Sequence, residues 1–245
     1  MNAAGDDILQ IRNLDRDFGG VHALRGVDLR VPRGSITGLI GPNGSGKTTL
    51  FQAVSGMDRG ATGEIRFDGE DILGWRPSQI YRRGLARTFQ LSRVFSRLTV
   101  LENLVVAGGH AGGRDRERAL NLLQRVHLEA YGNVLGSDLS YGQQKLVEFL
   151  RVLMSDPALI LLDEPAAGVN PTLRKTLWDM VRHLNGLGTS FFIIEHDMGV
   201  ISDLCSEVYV LSEGEVIQHG DFETVRNDPA VLEAYFGTAK EKAHG

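Results

Sequence analysis

One cysteine, Cys205, stands in 245 residues, so no disulfide can close within the chain, and a reducing, cytosolic setting is the simpler expectation. It lies between Leu204 and Ser206 without catalytic context and reads as a small packing residue. No apolar run approaches the roughly 20 residues needed to cross a bilayer, so any membrane association is expected to go through a partner. The opening residues, M-N-A-A-G-D-D, are acidic and lack the apolar stretch of a signal peptide. A basic excess is missing too: 26 Lys and Arg face 31 Asp and Glu, a net charge of −5, which leaves no electrostatic footprint for nucleic acid. There is no long coiled-coil insertion. The remainder is ordinary, with 42% apolar and 23% charged residues, which excludes global disorder and suits a chain long enough to bury a real core.

What is present centres on one stretch, G-P-N-G-S-G-K-T-T, residues 41 to 49. It follows the apolar run Ile36 to Ile40 and precedes a helix-like segment from Lys47 to about Ser55, the strand, glycine-rich turn and helix that a phosphate-binding loop requires. Gly41, Gly44 and Gly46 let backbone N–H groups, with those of Pro42 to Ser45 excepting the imino nitrogen, close around a polyphosphate where a Cβ would intrude. The helix adds its positive N-terminal end. Lys47 would reach the β- and γ-phosphates and Thr48 would ligate Mg²⁺, with Asn43 and Thr49 completing the cradle. No second G-x-x-x-x-G-K occurs, so the chain holds one such unit.

Around this loop the pattern is that of an α/β protein. Short strands are expected at Ile8 to Ile11, Val27 to Val31, Gly63 to Gly69 and Leu85 to Phe89, with a short helix from Pro77 to Arg83. From Leu91 to about Asp156 helices take over. One covers Arg114 to Leu128, and another starts near Ser140 and buries Leu146, Val147, Leu150, Leu153 and Met154. The apolar runs Leu159 to Leu162 and Phe191 to Ile194 read as strands covered on both faces of a parallel sheet. A helix from Pro171 to Asn185 separates them, a hairpin turns at Ser212-Glu213-Gly214, and two short helices end the chain.

Asp163 and Glu164 follow a buried strand, at the edge where ligands bind in open α/β sheets. As adjacent residues of an extended segment they would point apart, one holding Mg²⁺ and the other polarising water. A capping pair for the next helix is the alternative. Leu139-Ser140-Tyr141-Gly142-Gln143 fits a capping box, and a capped helix end beside a glycine is also an anion site. Phe18, next to Gly19 and Gly20, is either a core residue or a flat face for adenine.

Together these residues resemble the ATP-binding-cassette (ABC) ATPases. Gly41 to Thr48 matches Walker A, Gln90 the Q-loop, Leu139 to Gln143 the signature, Leu159 to Glu164 Walker B, and His196 the switch histidine. The resemblance covers nearly the whole chain. It implies an α/β P-loop NTPase (RecA-like) core with an N-terminal antiparallel β subdomain and an inserted α-helical subdomain. A single domain over residues 1–238 is expected, its core at about 1–90 and 156–236, the insertion at about 91–155, and a flexible tail at 239–245. ATP and Mg²⁺ are the implied ligands. Phe18 would stack on adenine, Thr48, Gln90 and Asp163 would serve the metal, Glu164 would activate water, His196 and Lys47 would contact the γ-phosphate, and Gln90, counted with the catalytic residues, would sense Mg²⁺ and the transport partner. Ser140, Gly142 and Gln143 of a second cassette, identical or not, would close the site from the other side.

A-R-T-F-Q (86–90), L-T-V-L-E-N (98–103), E-A-Y-F-G near the end, Tyr141 in the signature and Asn170 after Glu164 are similar to importers of branched-chain and other hydrophobic amino acids. That resemblance implies membrane permease subunits as direct partners, a substrate-binding protein as an indirect one, and a peripheral position on the cytoplasmic face of the inner membrane. A soluble or exporter-type ABC ATPase is the alternative.

Overall fold

The computed structural model describes residues 7–88, 94–109 and 113–236. Gln90 and the end of the strand read over Leu85 to Phe89 lie outside the described residues, as do the tail positions 239–245.

Two long strands open the chain. β1 (Asp7–Phe18) and β2 (Val21–Pro32) pair antiparallel through the turn at Gly19-Gly20, where φ is 59° and 97°. Each extends well past the apolar run that marked it, because exposed polar positions such as the paired Asp17 and His22 continue the ladder beyond its buried part. Then follow β3 (Ile36–Ile40), α1 (Lys47–Val54), β4 (Thr62–Phe67), β5 (Glu70–Asp71), α2 (Pro77–Arg82) and β6 (Leu85–Arg87). β4 joins β1 and β5 joins β4, giving a four-stranded antiparallel sheet in the order β2-β1-β4-β5.

A helical block comes next, α3 (Val100–Gly108), α4 (Gly113–Arg125) and α5 (Tyr141–Leu153). α3 is started by a capping box: Thr99 Oγ1 accepts from Glu102 N at 3.2 Å and Glu102 Oε2 accepts from Thr99 N at 2.8 Å. α4 buries Ala119, Leu122 and Leu123 on one face, as the helical spacing requires.

The chain then alternates through β7 (Leu159–Asp163), α6 (Pro171–Gly186), β8 (Ser190–Ile194), α7 (Met198–Leu204), β9 (Glu207–Ser212), β10 (Glu215–Gly220), α8 (Phe222–Arg226) and α9 (Pro229–Phe236). α7 was not foreseen; Asp197 starts it by accepting from Gly199 N and Val200 N. Six strands form the central sheet in the order β10-β9-β3-β8-β7-β6, parallel except for the β9–β10 hairpin.

Both faces of this sheet are covered, and the two-residue period of its strands sorts their side chains. Leu159, Leu161, Phe192 and Ile194 join a core with α1 and the antiparallel sheet, while Ile160, Leu162, Phe191 and Ile193 join a second core with α3, α4, α5 and α6. No helix among the described residues is long and apolar enough to cross a membrane. The parallel register sets Leu39 and Asp163 each beside Ile194. Three segments therefore leave the sheet at one edge: the loop after β3, Glu164 after β7, and Glu195-His196 after β8.

Candidate nucleotide site

The glycine-rich loop is held from behind as well as opened in front. A Cβ on Gly41 (φ 150°) would sit 2.0 Å from the Leu211 carbonyl oxygen of β9, and one on Gly46 (φ 106°) would sit 2.5 Å from that of Ala23 on β2. Gly44 differs, meeting nothing within 4 Å at φ 80°, so there only the backbone conformation asks for glycine. Two of the three glycines thus serve the fit of the loop against its own protein, a reason the sequence pattern did not carry. The hairpin turn reinforces this fit, since Gly214 N donates to Ser45 O at 3.0 Å and Arg25 N to Gly214 O at 2.9 Å.

Lys47 is the first residue of α1, and its ammonium donates to the carbonyls of Gly41 and Pro42, both at 2.8 Å. Burial pushes its pKa down, and the carboxylates of Glu164 and Asp163 oppose that shift. Gly46 gives α1 no side-chain cap, so the first-turn N–H groups, with Thr48 and Thr49 beside them, face the loop without a side-chain acceptor from that position. Ser45 is buried, whereas Asn43 and Gly44 are exposed on the outer rim.

Asp163 closes β7 and is 1% exposed. Its Oδ2 accepts from Arg87 Nη2 at 2.8 Å, while Oδ1 has no hydrogen-bond partner among the described residues. Burial raises its pKa, and the Arg87 cation opposes the rise.

Glu164 does not continue the strand. Its φ is 47°, left-handed backbone, and its N–H donates to Ile194 O at 3.0 Å. The expected divergence of the two acids therefore arises from a turn and not from strand alternation. That turn brings Glu164 Oε1 within 2.8 Å of His196 Nε2. Glu195, which the sequence reading missed, is buried, and its Oε2 accepts from the backbone N–H of His196 at 2.9 Å. Desolvation raises the Glu195 pKa. A carboxylate directly between an apolar strand and the histidine was the available signal.

The remaining residues lie apart from this cluster. Ser140 caps α5, its hydroxyl accepting from Gln143 N at 3.4 Å while Gln143 Oε1 accepts from Ser140 N at 2.9 Å. Among the described residues, no hydrogen bond joins this turn to the glycine-rich loop. Gly142 is fixed by packing: a Cβ there would meet Leu173 Cδ1 at 2.9 Å. Tyr141 lies over Gly168, and Asn170 caps α6 by accepting from Leu173 N at 3.0 Å, so these two residues of the importer resemblance meet at one junction. Phe18 is 47% exposed at the end of β1, with the Arg16 guanidinium 3.9 Å over its ring.

A lysine-bearing glycine loop at a helix start, a buried strand-end aspartate and a glutamate–histidine pair on the adjoining edge define a P-loop nucleoside-triphosphatase. The signature-like helix narrows the class, and comparison with known proteins agrees. A family model described as "ABC transporter" matches residues 24–167, and one described as "Branched-chain amino acid ATP-binding cassette transporter" matches residues 215–241. A protein of Archaeoglobus fulgidus named as a probable branched-chain amino acid transport ATP-binding protein, LivG, is 39% identical over 94% of this chain and 95% of its own length. The crystal structure of the ADP conformation of an ATP-binding cassette of an ABC transporter superposes with a TM-score of 0.87 at 34% identity, covering 95% of this chain and 99% of that one. A dimeric bacterial ABC transporter cassette superposes with a TM-score of 0.77 at 25% identity, covering 87% of this chain and 98% of that one. The chain belongs to the ABC transporter family, and within it to the ATP-hydrolysing cassettes.

Proposed function

We propose that this chain is the ATP-binding and ATP-hydrolysing subunit of an importer for branched-chain or other hydrophobic amino acids or related small molecules, working as one of a pair of cassettes beneath membrane permease subunits. The observation that carries the catalytic part is the 2.8 Å contact between Glu164 and His196 on the sheet edge that also presents the Lys47 loop. The names of the relatives and the match over residues 215–241 support the cargo class.

In this reading Phe18 stacks on the adenine, and the N–H groups from Gly41 to Thr49 with the Lys47 ammonium hold the phosphates. Glu164 draws a proton from the attacking water while His196 orients that carboxylate and faces the γ-phosphate. A divalent cation fits the residues present: Asp163 Oδ1 is a buried carboxylate oxygen without a hydrogen-bond partner among the described residues, and the Thr48 hydroxyl is a further oxygen donor, with Gln90 the donor that the family resemblance adds. When bound, Mg²⁺ would withdraw charge from the phosphate oxygens. Ser140, Gly142 and Gln143 of the second cassette complete the site across the interface, so hydrolysis weakens the pair.

The cavity of about 320 Å³ between α2, β6 and α5, lined by Ile80, Tyr81, Arg87 and Arg151 among others, suits the permease contact. Residues 91–155 act here as the helical subdomain, which contributes one wall of it through Ala107, Glu148, Arg151 and Val152. Purification from detergent-solubilised membranes tests the reading. Two permease proteins and a periplasmic-type binding protein for apolar amino acids should co-purify or be encoded beside this gene; recovery of ribosomes in their place removes it.

A further inference from the structure

Arg87 is a buried cation to which the mechanism above gives no role. It ends β6, its side chain is 8% exposed, and its guanidinium bridges two elements. Nη2 donates to Asp163 Oδ2 at 2.8 Å, and Nη1 donates to Ser55 Oγ at 3.1 Å. Ser55 is the C-terminal cap of α1 and is anchored in turn, its hydroxyl donating to Phe51 O at 2.7 Å. The Phe51 ring lies 5.8 Å from the guanidinium carbon and restricts it further.

Two consequences follow from this bridge. The fork commits one carboxylate oxygen of Asp163 to the protein and leaves the other, Oδ1, unpaired among the described residues. It also ties the strand that ends in Asp163 to the helix that begins with Lys47 and Thr48, so two donors from separate elements keep one spacing. We infer that Arg87 is a positioning residue for the divalent cation, orienting Asp163 through Oδ2 and holding α1 through Ser55 so that Oδ1 and Thr48 form a preset metal site. This rests on the reading of Asp163 as a metal-holding residue. A lysine has the charge but not the planar two-pronged donor geometry, so it cannot serve both acceptors alike.

Partners of this kind, one bond removed from a metal, change metal affinity by about 10–100-fold when altered. The test measures Mn²⁺ binding by electron paramagnetic resonance on the full chain with a non-hydrolysable ATP analogue, alongside binding of a fluorescent ATP analogue in EDTA. Arg87→Lys is expected to weaken Mn²⁺ binding about tenfold while metal-free nucleotide affinity stays within about twofold. A loss of less than about threefold overturns the inference, and so does an equal loss in the metal-free assay. Ser55→Ala keeps both charges of the buried pair and removes only the second anchor; it decides by the same threshold if the lysine variant does not fold. Asp163→Asn is the control: if it too binds Mn²⁺ normally, the metal reading of Asp163 fails, whereas loss in Asp163→Asn alone refutes the role of Arg87.

Discussion

His196 Nε2 lies 2.8 Å from Glu164 Oε1 although 32 residues separate them in sequence. The pair exists because β7 and β8 are adjacent and parallel, with Asp163 in register with Ile194, so the residues just beyond each strand meet. Glu164→Gln keeps the shape and the hydrogen bond but removes the basic oxygen. Turnover should fall by about 10²- to 10⁴-fold with ATP binding retained, and the ATP-loaded dimer should accumulate on gel filtration. Wild-type turnover in this variant would exclude Glu164 as the base.

Lys47→Ala should lose nucleotide. Charged hydrogen bonds of this kind contribute about 1.5–3 kcal/mol, so ATP affinity is expected to drop about ten- to hundredfold. Equilibrium titration with a fluorescent ATP analogue reads this directly.

The glycines of the loop separate stability from binding. Gly41→Ala drives a methyl into the Leu211 carbonyl, 2.0 Å away, and should cost about 3 kcal/mol or more. Gly44→Ala meets no atom within 4 Å and bears only the left-handed backbone cost of about 1–2 kcal/mol. Urea denaturation should rank Gly41→Ala as clearly the less stable; the reverse order would refute the wedge against β9.

Glu195 should give a pH signature. Its folded-state pKa is raised above the ordinary value of 4.5, chiefly by burial, so the folded protein favours the protonated acid. Its contribution is fully present below the unfolded value and is lost as pH rises through the folded one. Glu195→Gln, whose amide oxygen can still accept from His196 N, should therefore be more stable than wild type at neutral pH. The gap in Tm should widen as pH rises from the ordinary carboxyl range near 4.5 toward neutrality. A gap that shrinks over that range would mean the carboxylate is stabilised as an anion.

What the sequence disclosed is what is local in it. The loop around Lys47 carries its strand, turn and helix within a few residues of one another, and the Ser140–Gln143 box is an i, i+3 pattern, so both were legible. The same i, i+3 pattern at Thr99–Glu102 is local too and starts α3, though in the sequence it stands inside the L-T-V-L-E-N stretch, whose family resemblance carries no statement about a helix start. Contacts between distant segments were not legible. Arg87 and Asp163 are 76 residues apart, and only the pairing of β6 with β7 puts them together. Glu164 misled the reading for another reason, since a left-handed φ at a non-glycine residue has no compositional mark.

The clasp of the β9–β10 turn on the glycine-rich loop bears on how the protein is made. Residues 41–49 leave the ribosome early, but the Leu211 carbonyl and the Gly214 amide that wall them in arrive some 170 positions later. A nascent chain thus carries the ATP-binding sequence through most of its synthesis without the finished cradle, and nucleotide can begin to favour the folded form only once the last sheet hairpin has docked.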